Sequence, residues 1–118
     1  MTARKEESRR VAQCRYLIRC RRIISGGIDT RFLQLPVWDM LLELYLAHHE
    51  QRDVYLGSLC MVVDTALATA YRRIMDMQKH GLVDRTYHSQ DRRRIQVRIS
   101  STGIASMDAI MDAIESPG

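Results

Sequence analysis

Long apolar runs are missing from this 118-residue chain, whose longest, Leu59-Cys60-Met61-Val62-Val63, is five residues. A membrane helix needs about 20, so a bilayer span and a membrane partner are excluded. Arg4, Lys5, Arg9 and Arg10 open the chain, but Arg15 and Arg19 interrupt the next stretch. No apolar signal region remains, and a cytoplasmic location is expected. Cysteine is scarce, three residues without framework spacing, which argues against a disulfide-stapled secreted fold and for a reducing compartment. No repeat, low-complexity tract or Pro/Gly-rich linker divides the chain, so residues 1–118 read as one unit. Neither Cys-x-x-Cys nor His-Glu-x-x-His occurs around Cys14, Cys20, Cys60, His48, His49, His80 or His88, so no metal and no cofactor is expected. A Gly-rich phosphate loop and a nucleophile, base and orienter set are also lacking, which argues against an enzyme.

Lysine is nearly absent as well: 16 of the 18 bases are arginine, the planar bidentate group suited to phosphates and guanine edges. The net charge of +4 hides a strong unevenness. Residues 1–31 carry +6, residues 32–71 carry −4, residues 72–98 carry +5 and residues 99–118 carry −3. Two basic blocks separated by acidic ones suggest a surface that faces a polyanion; ordinary solvated charge is the plain alternative.

Helical periodicity places Val11, Cys14, Leu17 and Ile18 on one side of residues 4–24 and Arg15, Arg19 and Arg22 on the other, with Ser25-Gly26-Gly27 as the stop. A second, more apolar helix starts at Pro36 and runs to about His49. Alternation over Asp53-Val54-Tyr55-Leu56 suggests a short strand, then a short helix from Gly57 or Ser58 to about Val62 and a cap-type pair, Asp64-Thr65. From about Ala66 to His80, with Gly81 as terminator, Leu67, Ala70, Ile74 and Met77 form a seam expected to be buried. That seam turns Thr65, Ala68, Thr69, Arg72, Asp76 and Lys79 outward, with Arg73 at the flank. Two alternating stretches, Val83 to His88 and Arg94 to Ile99, then predict a hairpin with Gln90-Asp91-Arg92-Arg93-Arg94 at its tip. Ser100 is positioned to cap a last helix whose apolar stripe is Ile104, Met107, Met111 and Ile114.

This order predicts a mainly α fold with a small β-hairpin wing, a winged helix-turn-helix. Residues 32–99 are expected to form its DNA-binding core, flanked by helices over 4–24 and 101–115, and the apolar stripe of the last helix calls for a partner. A helix about 10–12 Å across fits the major groove, so Thr65, Ala68, Thr69, Arg72, Arg73 and Lys79 are the candidate contacts there. Arg92, Arg93 and Arg94 suit the minor groove or the phosphate backbone.

The residues also resemble a family. Gly81-Leu82-Val83-Asp84-Arg85, Asp91-Arg92-Arg93-Arg94 and Ile99-Ser100-Ser101-Thr102-Gly103 are similar to the "GLV-R, D-x-R-R, L-T-x-x-G" signature of the MarR-like winged-helix regulators. Leu35-Pro36-Val37-Trp38 and Leu56-Gly57-Ser58-Leu59-Cys60 look like the Pro-x-Trp helix and helix-turn-helix start of small bacterial members. The resemblance spans residues 32–115. It implies a homodimeric, cytoplasmic, bacterial regulator of transcription that binds double-stranded DNA, with residues 66–80 reading the major groove and 88–94 as the wing. By the same match Asp91 holds Arg93 at the base of the wing. Family members carry longer C-terminal helices than the stretch that reaches Gly118, so an unusual or weaker dimer is expected, built on Val11, Leu17, Ile18, Ile104, Met107, Met111 and Ile114. Relatives also often place Ser, Pro or Thr where Ala66-Leu67-Ala68 begins the recognition helix, which leaves specificity to Thr69, Arg72 and the wing.

Several features have plainer readings. Tyr71 and Tyr87 pack under the wing as readily as they touch sugar or phosphate. Arg15, Arg19 and Arg22 fit a solvated helix face better than a second backbone-binding patch. The cysteines fit core packing better than oxidant sensing, and Met75, Met77, Met107 and Met111 fit core filling better than a pocket for a small-molecule effector. The alternatives to a specific regulator are a protein-interaction module, such as an anti-repressor or regulator subunit, and a nonspecific DNA-binding protein.

Overall fold

A computed structural model describes residues 2–28, 35–63, 65–87 and 94–114. Among the described residues, five helices and one hairpin occur in the order α1 (Thr2–Gly27), α2 (Pro36–Glu50), α3 (Leu56–Val62), α4 (Leu67–Lys79), β1 (Val83–Tyr87), β2 (Ile95–Ile99) and α5 (Ser101–Ile114).

The core is organised by α2. Proline in its first turn needs no amide partner there, and Gln51 ends it in the left-handed region at φ 56° while the Arg52 amide donates to Ala47 O at 2.9 Å. Met40, Leu42, Leu44, Tyr45 and Ala47 are buried along it, and α2 packs against every other helix and against β2. The buried residues form one cluster, which also takes in Leu59 and Cys60 of α3, Ala70, Ile74 and Met77 of α4, and Val83, Val97 and Ile99 of the hairpin.

The strand expected over residues 53–56 is reduced to one bridge, Tyr55 with Gln96, and a bond from the Val97 amide to Val54 O at 2.8 Å. Leu56 already begins α3, so no length remains for a ladder. The expected Asp64-Thr65 cap is also displaced: Ala66 occupies the N-cap of α4 with no side-chain cap bond, and Asp64 lies outside the described residues. At its other end α4 closes through Leu82 N to Met77 O at 2.9 Å. This turn puts Gly81 at φ +76°, where a side chain would be strained.

The hairpin is antiparallel, Val83 opposite Ile99 through Tyr87 opposite Ile95. Along β1 burial fades outward, from Val83 in the core through half-buried Arg85 to exposed Tyr87. Ser100 caps α5 as expected, its Oγ accepting from the Gly103 amide at 3.0 Å and donating to Gly81 O. Gly103 is needed at that junction, because a Cβ there would stand 2.7 Å from Ile99 Cγ1 and closer still to Leu82 O.

The basic N-terminal helix is held by the acids of its own chain. Arg10 reaches Asp112 and Asp108 on α5, Arg15 reaches Glu50 at 2.9 Å, and Arg21 reaches Asp39 at 2.9 and 3.1 Å on α2. Part of the first basic block therefore answers the acidic blocks within the molecule, while Arg4, Lys5, Arg19 and Arg22 are exposed. Arg15 in particular is engaged with α2.

Candidate nucleic-acid interface

With Ala70, Ile74 and Met77 anchored in the core, helical geometry turns Ala68, Arg72 and Lys79 to the opposite side of α4, and all three are exposed. Among the described residues neither Arg72 nor Lys79 has an acidic partner, whereas Arg73 is paired with Asp76 on the same helix at 3.4 Å. Thr65 and Thr69 are half-buried on the flank, where they line a cavity of about 450 Å³ together with Trp38, Leu41 and Arg73. The candidate contacts thus divide between an outward face (Ala68, Arg72, Lys79) and a flank turned toward α2 (Thr65, Thr69, Arg73).

Leu67, expected in the buried seam, is instead 71% exposed. As the first residue of α4 it stands beyond the layer that covers Ala70 and Ile74. Tyr71, one turn later, is also exposed, as is Tyr87, so neither packs out of sight beneath the hairpin.

At the base of the wing Arg94 is exposed and lies 4.5 Å over the ring of Tyr55, a cation–π contact that fastens β2 to the bridge before α3. Sequence reading missed Tyr55, since only the bridge to Gln96 brings it beside the wing. Arg92, Arg93 and Asp91, the other candidate residues of the wing, lie outside the described residues.

The expected dimer residues separate in the structure. Met107 and Met111 are each 1% exposed in the chain's own core, and Leu17, Ile18 and Ile104 pack against that core, because α1 and α5 lie on α2. Met107 and Met111 are therefore corrected from dimer face to core. Val11 is half-buried. The large apolar side chains left open on these helices, among the described residues, are Tyr16, Ile23 and Ile24 of α1 and Ile110 and Ile114 of α5.

A cavity of about 510 Å³ lies between α1, α2 and the α3–α4 turn, with Ile18, Arg21, Asp39, Val62 and Thr65 in its wall. None of Met75, Met77, Met107 and Met111 lines it; Met75 is half-buried and the other three are in the core. Cys14 is fully buried, donates to Leu42 O at 3.3 Å, and its thiol is pushed up to about 12 by burial, with Glu43 adding to the shift. Burial also raises Cys60. In both, burial disfavours the thiolate form on which oxidant sensing depends.

No family model and no curated protein matches the chain. Solved structures do. S. aureus MepR in its DNA-binding conformation is similar at a TM-score of 0.60 and 20% identity, over 85% of this chain and 77% of that one. AF1382 from Archaeoglobus fulgidus is similar at a TM-score of 0.60 and 16% identity, over 75% of this chain and 94% of the other. The fold is the MarR-like winged helix. In this winged helix α3 and α4 form the helix-turn-helix, and β1 and β2 the wing. MepR has also been solved as a complex with DNA, and that structure is similar at a TM-score of 0.59 and 19% identity, over 82% of this chain and 81% of that one. The heme sensor PefR from Streptococcus agalactiae, solved with heme, is similar at a TM-score of 0.56 and 19% identity, over 86% of this chain and 63% of its own. Among the described residues no helix is long and apolar enough to cross a membrane.

Proposed function

We propose that this winged helix is a sequence-specific, double-stranded DNA-binding regulator of transcription that works in the cytoplasm as a homodimer. It places α4 in the major groove and the 88–94 wing at the minor groove. The observation that carries the reading is Arg72: exposed at the centre of the outward face of α4 and without an acidic partner among the described residues, in a fold shared with a protein solved on DNA. An arginine so placed offers two parallel donors to guanine O6 and N7. Ala68 and Lys79 share its face, Thr65, Thr69 and Arg73 approach from the flank, and Arg92, Arg93 and Arg94 follow the backbone beside it, with Asp91 bracing Arg93.

Two copies would pair through the ends of α1 and α5, where Ile23, Ile24, Ile110 and Ile114 remain open. The pairing sets two α4 helices about one DNA turn apart on a pseudo-palindrome. The cavity between α1, α2 and the α3–α4 turn is the place for a small-molecule effector, since it touches α1, one of the two dimer helices, and the turn that aims α4.

The test is selection of bound duplexes from a random pool at about 150 mM salt, where phosphate contacts are weakened. Enrichment of a two-fold-symmetric motif is the expected result. A folded protein that enriches nothing would point to an acidic protein partner or to nonspecific DNA binding.

A further inference from the structure

We propose that the first two turns of α4 read the C5-methyl groups of pyrimidines in the major groove, so that thymine methyls set the preferred sequence together with the Arg72 contact. The inference rests on α4 being the DNA-facing helix and concerns what that helix recognises.

The outward chemistry of these turns is mostly apolar. Leu67 is 71% exposed and Tyr71 43%, and Ala68 is exposed beside them. Leu67 and Tyr71 are four residues apart, as are Ala68 and Arg72, so two neighbouring rows run along the helix, one wholly apolar and one ending in the guanidinium. Thr65 and Thr69, whose hydroxyls could add hydrogen bonds, are half-buried residues on the flank, where they line a cavity with Trp38 and Leu41. Polar reading of base edges from this face is thus left to Arg72 and, two turns on, Lys79.

One exposed leucine is ordinary on a protein surface. Leu67 and Tyr71 form an exposed apolar row on the flank next to the row of Ala68 and Arg72, and Arg72 has no acidic partner among the described residues, so this end of the helix calls for an apolar partner set within an anionic one. The major groove supplies that combination: phosphates on both sides, guanine acceptors for an arginine, and one apolar group on the unmodified bases, the thymine methyl. A methylated cytosine presents the same group.

The experiment takes the duplex enriched from the random pool and remakes it with 2′-deoxyuridine in place of thymidine, which removes only the methyls. Binding is expected to weaken about fourfold for each methyl contacted, the value of one buried methyl-sized group. Leu67→Ala, a substitution at an exposed position that leaves the core untouched, is expected to shrink the difference between the two duplexes and to leave binding to the uracil duplex nearly unchanged. At a contacted position, 5-methylcytosine is expected to bind better than cytosine. Equal binding of thymine and uracil duplexes, by a protein that still prefers the enriched sequence to a scrambled one, would overturn methyl reading and leave the DNA-binding assignment standing. A pool that yields no enriched duplex would overturn both.

Discussion

Arg10 holds Asp112 through two parallel hydrogen bonds of 2.9 and 2.8 Å, joining the first helix to the last across 102 positions of sequence. The same guanidinium lies 3.6 Å from Asp108, which accepts a bond from the Tyr45 hydroxyl of the central helix. Three helices meet at this cluster. It accounts for part of the charge segregation, because α1 carries the cations that α2 and α5 lack.

The cluster has a pH signature. Asp112 is held below the usual carboxylate range, first by its hydrogen bonds to Arg10 and then by the nearby positive charge of Arg10 and Arg9. A carboxylate whose folded pKa is depressed adds stability above its unfolded value of about 3.9, and that stability is lost as the pH falls through the folded value. Arg10→Gln is therefore expected to melt at a lower temperature than the parent at pH 7, and the gap is expected to close as the pH drops below about 4. Since the pair is partly exposed, added salt is expected to narrow the gap at pH 7 as well. Equal melting temperatures at pH 7 would show that the clasp adds nothing.

Gly103 offers a sharper stability test. A methyl there meets Ile99 Cγ1 at 2.7 Å and the Leu82 carbonyl, and neither the strand nor the backbone can yield cheaply. Gly103→Ala is expected to cost about 1–3 kcal/mol by overpacking, despite the better helix propensity of alanine. Denaturant unfolding measures it, and a neutral or stabilised variant would mean that α5 sits farther from the hairpin.

The thiols should react in order of access. Cys14 is buried and its thiol is pushed up to about 12, Cys60 is buried and raised, and Cys20 is half-buried. A thiol reagent at pH 8 is expected to modify Cys20 first and the other two only on unfolding. Rapid native modification of Cys14 would contradict the packing of α1 on α2.

On DNA, Arg72→Ala is expected to cost about 1–3 kcal/mol on the preferred sequence and to relax the preference at one base pair. Arg15→Gln is expected to leave affinity unchanged, because Arg15 is tied to Glu50. Competition titrations with single-base variants measure both, and equal losses on every sequence would make Arg72 a phosphate contact.

Much of this fold was legible in sequence because its signals are local. Pro36, Gly81 and Ser100 mark helix ends by backbone chemistry that acts within one turn, and the alternation after Gly81 marks the hairpin. Periodicity also identified the face of α4 that carries Arg72. It could not separate the two uses of an apolar stripe: Met107 and Met111 have the spacing of an interface and serve the chain's own core. Likewise Leu67 has the phase of the buried seam, and only the extent of the neighbouring elements leaves it uncovered. The arginines of α1 were legible as charge but not as partners of Asp39, Glu50 and Asp112, since ion pairs between distant segments leave no periodic trace. The Tyr55–Arg94 stack was hidden for the same reason.

The measurement closest to the central claim is the ratio of affinities for the enriched duplex and a scrambled duplex of equal length and composition, at about 150 mM salt. A ratio of about a thousand or more is expected for a specific regulator, falling markedly in Arg72→Ala. A ratio near one, with both affinities dropping together as salt rises, would contradict sequence-specific recognition and leave only a basic surface that holds DNA.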